Sequence, residues 1–265
     1  MTAPTPARTR ETSVSSSSTQ SSAAEPVASE PERQRALLLA LTTEHFTLQT
    51  ARAATIADSN GRAALYLSTV TGAVVALAFI GQISQVGQAF FLFALALLPA
   101  LVLLGLLTYL RLLQTAVEDL FYARAINRIR RHYVSLDPDA PRWFLLTGCD
   151  DPSAFMVNMG LAAPGAKHSR WHLLSHTASM VAVVTSIIGG VFVALVVDTA
   201  AAGPTPVAVD AGVGILVAVA CVTAFAWHQA VRWRAAENNV PTLFPSDPDP
   251  AQIVRRAGAD RGSAE

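Results

Sequence analysis

Three histidines have a spacing that could hold a metal ion. His168, His172 and His176 recur at every fourth position, so on a helix they stack on one face. Imidazoles four residues apart can bind zinc or nickel, and imidazole also titrates near physiological pH. The competing interpretation is an amphipathic interface beside Lys167, because no acidic residue or cysteine lies in this stretch to complete a metal site. The histidines are candidate ligands only, and we expect no cofactor.

A second pattern is basic. Arg124, Arg128 and Arg131 follow one another at spacings of four and three, which places them on one side of a helix. Such a face can hold anionic lipid headgroups, or it can simply be solvated. Nineteen basic residues balance nineteen acidic ones, so we expect no nucleic acid as a partner. Binding of a nucleotide to the same face is disfavoured, because no glycine-rich loop accompanies the arginines.

Groups that could perform catalysis are poorly placed. Glu118 and Asp119 are neighbours, and on a helix their side chains point about 100° apart, so they are not a catalytic carboxylate pair. Cys149 and Ser153 have no histidine at a recognisable motif spacing, which argues against a nucleophile. The sequence therefore predicts a protein that is not an enzyme.

Four apolar runs determine the fold. Ala89–Leu110 has 22 residues without a charge, and at about 1.5 Å per residue a helix of that length crosses a bilayer. The other runs are Ala63–Ile80, Thr177–Val197 and Ala211–Trp227, and none of the four contains Asp, Glu, Lys, Arg or His. Ion-coupled pumps usually place ionisable groups at this depth, so their absence argues against one. A pore lined by hydroxyl side chains stays open as an alternative, and its candidates are Ser68, Thr71, Thr185, Ser186 and Thr223.

The predicted fold class is an all-α polytopic membrane protein, with four transmembrane helices in two hairpins and cytosolic helical extensions. The expected segments are a disordered tail (1–31), a juxtamembrane helix (32–61), hairpin 1 (62–110), a cytosolic helical connection (111–175), hairpin 2 (176–230) and a largely disordered C-terminal tail (231–265). The stretch Asp58–Gly61 could break the juxtamembrane helix, or that helix could continue into span one, because one glycine costs only about 1 kcal/mol in a helix.

Positive charges are segregated along the chain. All nineteen Lys and Arg lie outside the two short loops, Gly81–Gln88 and Asp198–Asp210. By the positive-inside rule, both termini and the central connection are cytosolic. The expected location is the bacterial cytoplasmic membrane.

Small residues mark the expected helix contacts. Ser68, Gly72 and Ala76 stand four apart in span one and form a stripe that lets another helix approach closely. Gly189 and Gly190 in span three and Gly214 in span four are expected to act in the same way.

The stretches TTEHFTLQTARAATIADSNGRAALYLSTVTGAVVAL (Thr42–Leu77) and MVAVVTSIIGG (Met180–Gly190) resemble an uncharacterised group of actinobacterial four-span membrane proteins. The resemblance covers roughly Leu37 to Trp233 and implies the four-span fold, but it brings no known activity. We therefore expect an interaction or accessory protein that acts through its cytosolic helices, with a membrane protein or a second copy as partner beside the lipid bilayer. The alternative is a homo-oligomeric pore or membrane effector.

Overall fold

A computed structural model describes residues 29–160, 177–201 and 206–246. These residues form five α-helices and one short 3₁₀ helix, and no strand occurs among them. The helices are α1 (Glu30–Ser84), α2 (Gln88–Ser135), α3 (Pro152–Asn158), α4 (Thr177–Ala200) and α5 (Val207–Asn239), with the 3₁₀ helix at Ala140–Trp143. The all-α class is confirmed for the described residues. The predicted disordered tail before residue 29 lies outside them.

The chain divides into two compact units, and the boundary between them follows Ala40. In the first, Met1–Ala40, the described residues are Ser29 and the first turns of α1. Glu32 accepts hydrogen bonds from both the backbone N–H and the hydroxyl of Ser29, at 2.8 Å each, so these two residues cap the helix start. The remaining description concerns the second unit, Leu41–Glu265.

Four of the helices, α1, α2, α4 and α5, are long and apolar enough to cross a membrane within the described residues. Each contains one of the apolar runs, and α1 and α2 extend far beyond theirs, to 55 and 48 residues. The juxtamembrane helix is continuous with span one in α1, and Asp58 pairs with Arg62 one turn later (2.8 Å), which gives the helix some support across the glycine.

The first loop is shorter than expected. Helix α1 continues to Ser84 and α2 begins at Gln88, so only three residues of the predicted loop Gly81–Gln88 leave the helices. Gln85 and Val86 take positive φ values of 51° and 57°, and the Val86 N–H donates to the Gly81 carbonyl at 2.9 Å. The chain therefore makes a tight reversal between α1 and α2.

The bundle has three tiers of buried residues. In the middle tier Tyr66, Tyr109 and Val181 bring α1, α2 and α4 together. A second tier lies towards the α1–α2 reversal and includes Ala73, Leu98 and Ile188. The third tier lies at the opposite end and combines α2, α3 and α5; its members are Leu120, Ala123, Phe155, Met156, Trp233 and Ala236. This end, where α2 and α5 finish and α4 begins, is called the basic end below.

Candidate functional site at the basic end

An ion pair joins α1 to α2 just beyond their apolar runs. The Arg52 Nε donates to Asp119 Oδ1 at 2.7 Å, and Arg52 Nη2 donates to Oδ2 at 3.4 Å. The Asp119 side chain is only 12% exposed, whereas that of Arg52 is 29% exposed. Because 67 residues separate the partners, the pair ties the two long helices together where they leave the core.

A cleft of about 210 Å³ opens beside this ion pair. Helices α1 and α2 supply most of its polar residues, and its apolar residues come from all five helices and from Met159, which follows α3. Its lining residues are Thr55, Ile56, Ser59, Asn60, Leu112, Thr115, Ala116, Asp119, Phe155, Met159, Thr177, Ala178 and Trp233. Among these thirteen residues Asp119 is the one with an ionisable side chain. The cleft therefore combines a carboxylate with an aromatic surface.

Phe155 and Trp233 form that aromatic surface. Their ring centroids are 6.0 Å apart, and the Trp233 Nε1 donates to Glu237 Oε1 at 3.0 Å. Helix α3 holds Phe155 in place, and it begins with Asp151 as N-cap and Pro152 at its first position. Both are favoured helix-start residues, so the sequence carried a signal for this helix.

Arg124 does not present a lipid-binding face, which corrects the prediction. The side chain is buried, with the residue 3% exposed. Its Nε donates to the Asp150 carbonyl at 2.8 Å, and its two terminal nitrogens reach the Glu237 carbonyl (3.3 Å) and Thr242 Oγ1 (3.1 Å). Burial of a guanidinium is tolerated only when its donors are satisfied, and here acceptors of the same chain fill that role.

Arg128 is also engaged within the protein. It donates through Nε to Asp150 Oδ2 at 2.7 Å and through Nη2 to the Pro241 carbonyl at 2.6 Å. Arg131, the third member of the predicted basic face, is exposed, and its backbone abuts Gly148. The predicted three-arginine surface therefore does not exist as a unit.

Asp150 is the centre of this network. Besides Arg128, its carboxylate accepts the backbone N–H groups of Leu243 (3.1 Å) and Phe244 (2.8 Å). Burial by itself would raise the pKa of Asp150, but the Phe244 N–H and the Arg128 guanidinium outweigh it and hold the pKa below its usual range. The neighbouring Asp151 accepts from the backbone N–H and the hydroxyl of Ser246, at 2.9 and 2.6 Å.

These contacts correct the prediction for the C-terminal segment. Within the largely disordered tail 231–265, disorder was expected from about Asn238 onward, but α5 ends at Asn239 and residues 240–246 are held on Asp150 and Asp151. No local pattern signals these contacts, because the acceptors lie about 95 residues earlier in the chain. Residues 247–265 lie outside the described residues.

His45 on α1 contacts α2 at a point further from the apolar runs than the Arg52–Asp119 pair. Its ring lies 5.9 Å from the Tyr133 ring, centroid to centroid, and its buried Nδ1 has no hydrogen-bond partner among the described residues. Burial and, secondarily, the positive charge of Arg130 lower the pKa of His45. His168, His172 and His176 lie outside the described residues, within which no group of metal-ligating side chains is gathered.

Helices α4 and α5 touch at two of the predicted glycines. A Cβ at Gly190 would collide with the Gly214 carbonyl oxygen, and one at Gly214 would lie 3.1 Å from the Gly190 carbonyl oxygen. Gly189 is much less crowded, because the nearest atom to its Cβ position is a Val102 methyl at 3.9 Å. Backbone-to-backbone approach of this kind requires residues without side chains.

The small stripe of span one does not make the predicted contact within the chain. Ser68 and Gly72 are exposed, Ala76 is half-buried, and nothing lies within 4 Å of a Cβ at Gly72. The inward face of α1 instead carries Tyr66, whose hydroxyl forms a 2.8 Å hydrogen bond with Thr185 Oγ1. A large side chain that buries its ring and satisfies its hydroxyl stabilises this face more than small residues do.

Several polar groups in the apolar runs are hydrogen-bonded inside the bundle or to their own helix. The Tyr109 hydroxyl donates to the Phe225 carbonyl at 2.9 Å, and the Thr185 and Ser186 hydroxyls donate to carbonyls one turn earlier on α4. Of the candidate pore-lining residues, Thr185 and Ser186 are buried while Ser68, Thr71 and Thr223 are exposed. A single described chain therefore does not gather them into one polar path.

Comparison with protein-family models, with curated proteins and with solved structures gives no match to this chain.

Proposed function

We propose that the chain is an accessory protein of the bacterial cytoplasmic membrane that is not an enzyme and that recruits another protein through its cytosolic end. In this proposal the basic end faces the cytosol, as the segregation of Lys and Arg favours. Its charged groups support a structural role, because Arg124, Arg128 and Asp150 are engaged with one another and with the C-terminal segment.

The observation that carries the proposal is an exposed apolar segment on this fixed end. Between α2 and α3, Trp143 is 77% exposed and Leu145 is 98% exposed, with Leu136 and Leu146 also open. Nearby, Thr147 and Cys149 offer their carbonyls to Arg130 and to the Asn127 amide, so the segment is anchored to α2 on one side. Contiguous exposed apolar residues usually mark an interaction surface.

Distance from the bilayer favours a protein as the partner. Gly148 abuts Arg131, which lies 21 residues beyond Leu110 at the end of the apolar run. At about 1.5 Å per residue that is roughly 30 Å of helix. If the helix crosses the bilayer upright, Arg131 therefore lies well outside the headgroup layer. Lipid is therefore a poor occupant for the segment.

Site-specific photo-crosslinking in native membranes tests this proposal. A photoreactive phenylalanine at Leu145 is expected to give one discrete protein adduct, and Trp143→Ser should weaken it. The matched control is the same probe at Phe79, which is exposed on span one and should label lipid. Failure of the Leu145 probe to form any protein adduct would overturn the recruiting role.

Orientation has its own test. Cysteines at Ser84 and Thr199, near the two short loops, should react with a membrane-impermeant reagent on intact spheroplasts. Reaction at either site only after lysis would place the basic end outside and contradict the proposed topology.

The exposed stripe of Ser68 and Gly72 favours a second candidate, a homo-oligomeric pore, because small residues permit close helix approach between copies. Light scattering in detergent and dye efflux from liposomes distinguish the two. We expect a monomer or dimer without efflux, and we expect Gly72→Leu to be tolerated because nothing lies near its Cβ position. A discrete larger multimer with efflux, both lost in Gly72→Leu, would establish the pore instead.

A further inference from the structure

The cleft beside Asp119 lies at the level where the helices enter their apolar runs. Thr55 and Asn60 precede the run that begins at Ala63, Leu112 follows the run that ends at Leu110, and Thr177 begins the third run. These positions correspond to the headgroup layer of one leaflet. The cleft is not enclosed on all sides, so a molecule from outside the protein could reach it.

The size of the cleft indicates what part of a molecule it can hold. Its volume of about 210 Å³ is below the ~300–1,000 Å³ usual for pockets that enclose a whole small ligand. A lipid needs to place only its headgroup inside, because its tails stay in the bilayer. Size and location together favour a lipid over a water-soluble metabolite.

The lining indicates which headgroup. A carboxylate offers about four lone-pair sites, and Arg52 occupies Asp119 from one side, which leaves acceptor capacity towards the cleft. Trp233 and Phe155 present ring surfaces, which attract cations. None of the described lining residues is Lys, Arg or His, and among them the Asp119 carboxylate disfavours an anionic group.

The adjacent arginine supplies the complementary charge. The Arg52 guanidinium pairs with Asp119, a lining residue of the cleft, and 29% of the Arg52 side chain remains exposed. A zwitterionic headgroup has an ammonium group at its tip and a phosphate closer to the tails. We propose that the cleft binds a phospholipid with an ethanolamine headgroup, its ammonium group between Asp119 and the aromatic surface and its phosphate near Arg52. This inference needs the membrane location but is independent of the recruiting role.

Native mass spectrometry of the full chain released from nanodiscs tests the proposal. The probes are phosphatidylethanolamine, phosphatidylglycerol and the tail-free glycerophosphoethanolamine. We expect retention of phosphatidylethanolamine, about tenfold weaker retention of phosphatidylglycerol, and no binding of the tail-free probe, since a charge-assisted hydrogen bond corresponds to about a tenfold change in affinity. Equal retention of the two lipids would overturn the headgroup assignment, and binding of the tail-free probe would overturn the assignment to a lipid.

Two variants locate the site. Asp119→Asn removes the carboxylate and should abolish the preference for ethanolamine, whereas Glu118→Gln removes one negative charge from a residue that does not line the cleft and should preserve it. Because Asp119→Asn also breaks the pair with Arg52 and could unfold the chain, Ser59→Trp provides a second test by filling the cleft and leaving that pair intact. Its matched control is Ala57→Trp, at an exposed position outside the cleft. An unchanged preference in Ser59→Trp would overturn the site.

Discussion

Replacing Asp150 with asparagine should release the C-terminal segment from α2. The carboxylate accepts one bond from Arg128 and two from backbone N–H groups, and an asparagine of the same shape loses the charge and turns one acceptor into a donor. Removal of one partner from a buried ion pair costs about 3–5 kcal/mol. We expect the lower end, about 3 kcal/mol, because the Arg128 side chain is 29% exposed and can turn to water.

Hydrogen exchange measures this release directly. Exchange protection of amides reports the free energy of local opening, and each 1.4 kcal/mol corresponds to a factor of ten. The Leu243 and Phe244 amides should therefore exchange roughly a hundredfold faster in Asp150→Asn than in the wild type.

The matched control is Asp139→Asn, which removes an exposed surface pair with Arg142 at 2.9 Å. Such pairs contribute about 0–1 kcal/mol, so exchange at Leu243 should stay unchanged. Equal protection of the segment in wild type and Asp150→Asn would refute the argument that this carboxylate holds it.

Two further predictions concern other parts of the bundle. Gly190→Ala should lower the midpoint of thermal unfolding in detergent because its methyl group would meet the Gly214 carbonyl, while Gly189→Ala should change it little; equal midpoints would contradict a close α4–α5 contact. His45→Gln should flatten the loss of stability as pH falls below about 6.5. The folded pKa of His45 lies below that unfolded value, so the unfolded state binds more protons in this window and stability falls as pH falls through it. Parallel pH curves for variant and wild type would exclude this contribution.

The four apolar runs were readable from the sequence because a bilayer demands about twenty consecutive apolar residues, a local requirement. The rotation of each helix about its own axis could not be predicted from the sequence. Ser68 and Gly72 predicted which face of span one contacts another helix, but the face with Tyr66 packs inward instead. The Tyr66 hydroxyl forms a hydrogen bond with Thr185, which lies more than a hundred residues away in the sequence.

The basic end shows the same limit more strongly. The spacing of Arg124 and Arg128 correctly places both on one side of a helix, but the partners of that side lie in two distant segments around Asp150 and Pro241. A periodic pattern predicts which face of a helix a side chain occupies, but it does not predict which distant segment contacts that face. The start of α3 carries a local signal, because Asp151 and Pro152 are adjacent residues that favour a helix start, and such a signal can be detected in the sequence.

The unbroken course of α1 has a mechanical consequence. Between Leu41 and Ala63 lie about 33 Å of helix without a hinge, continuous with an apolar run that is long enough to cross a membrane. A rod of that length converts a tilt of a few degrees into a displacement of a few ångströms at its outer end. Tilting is one response of a crossing helix to a change in bilayer thickness, and a change in the tilt of α1 would move His45 sideways relative to Tyr133.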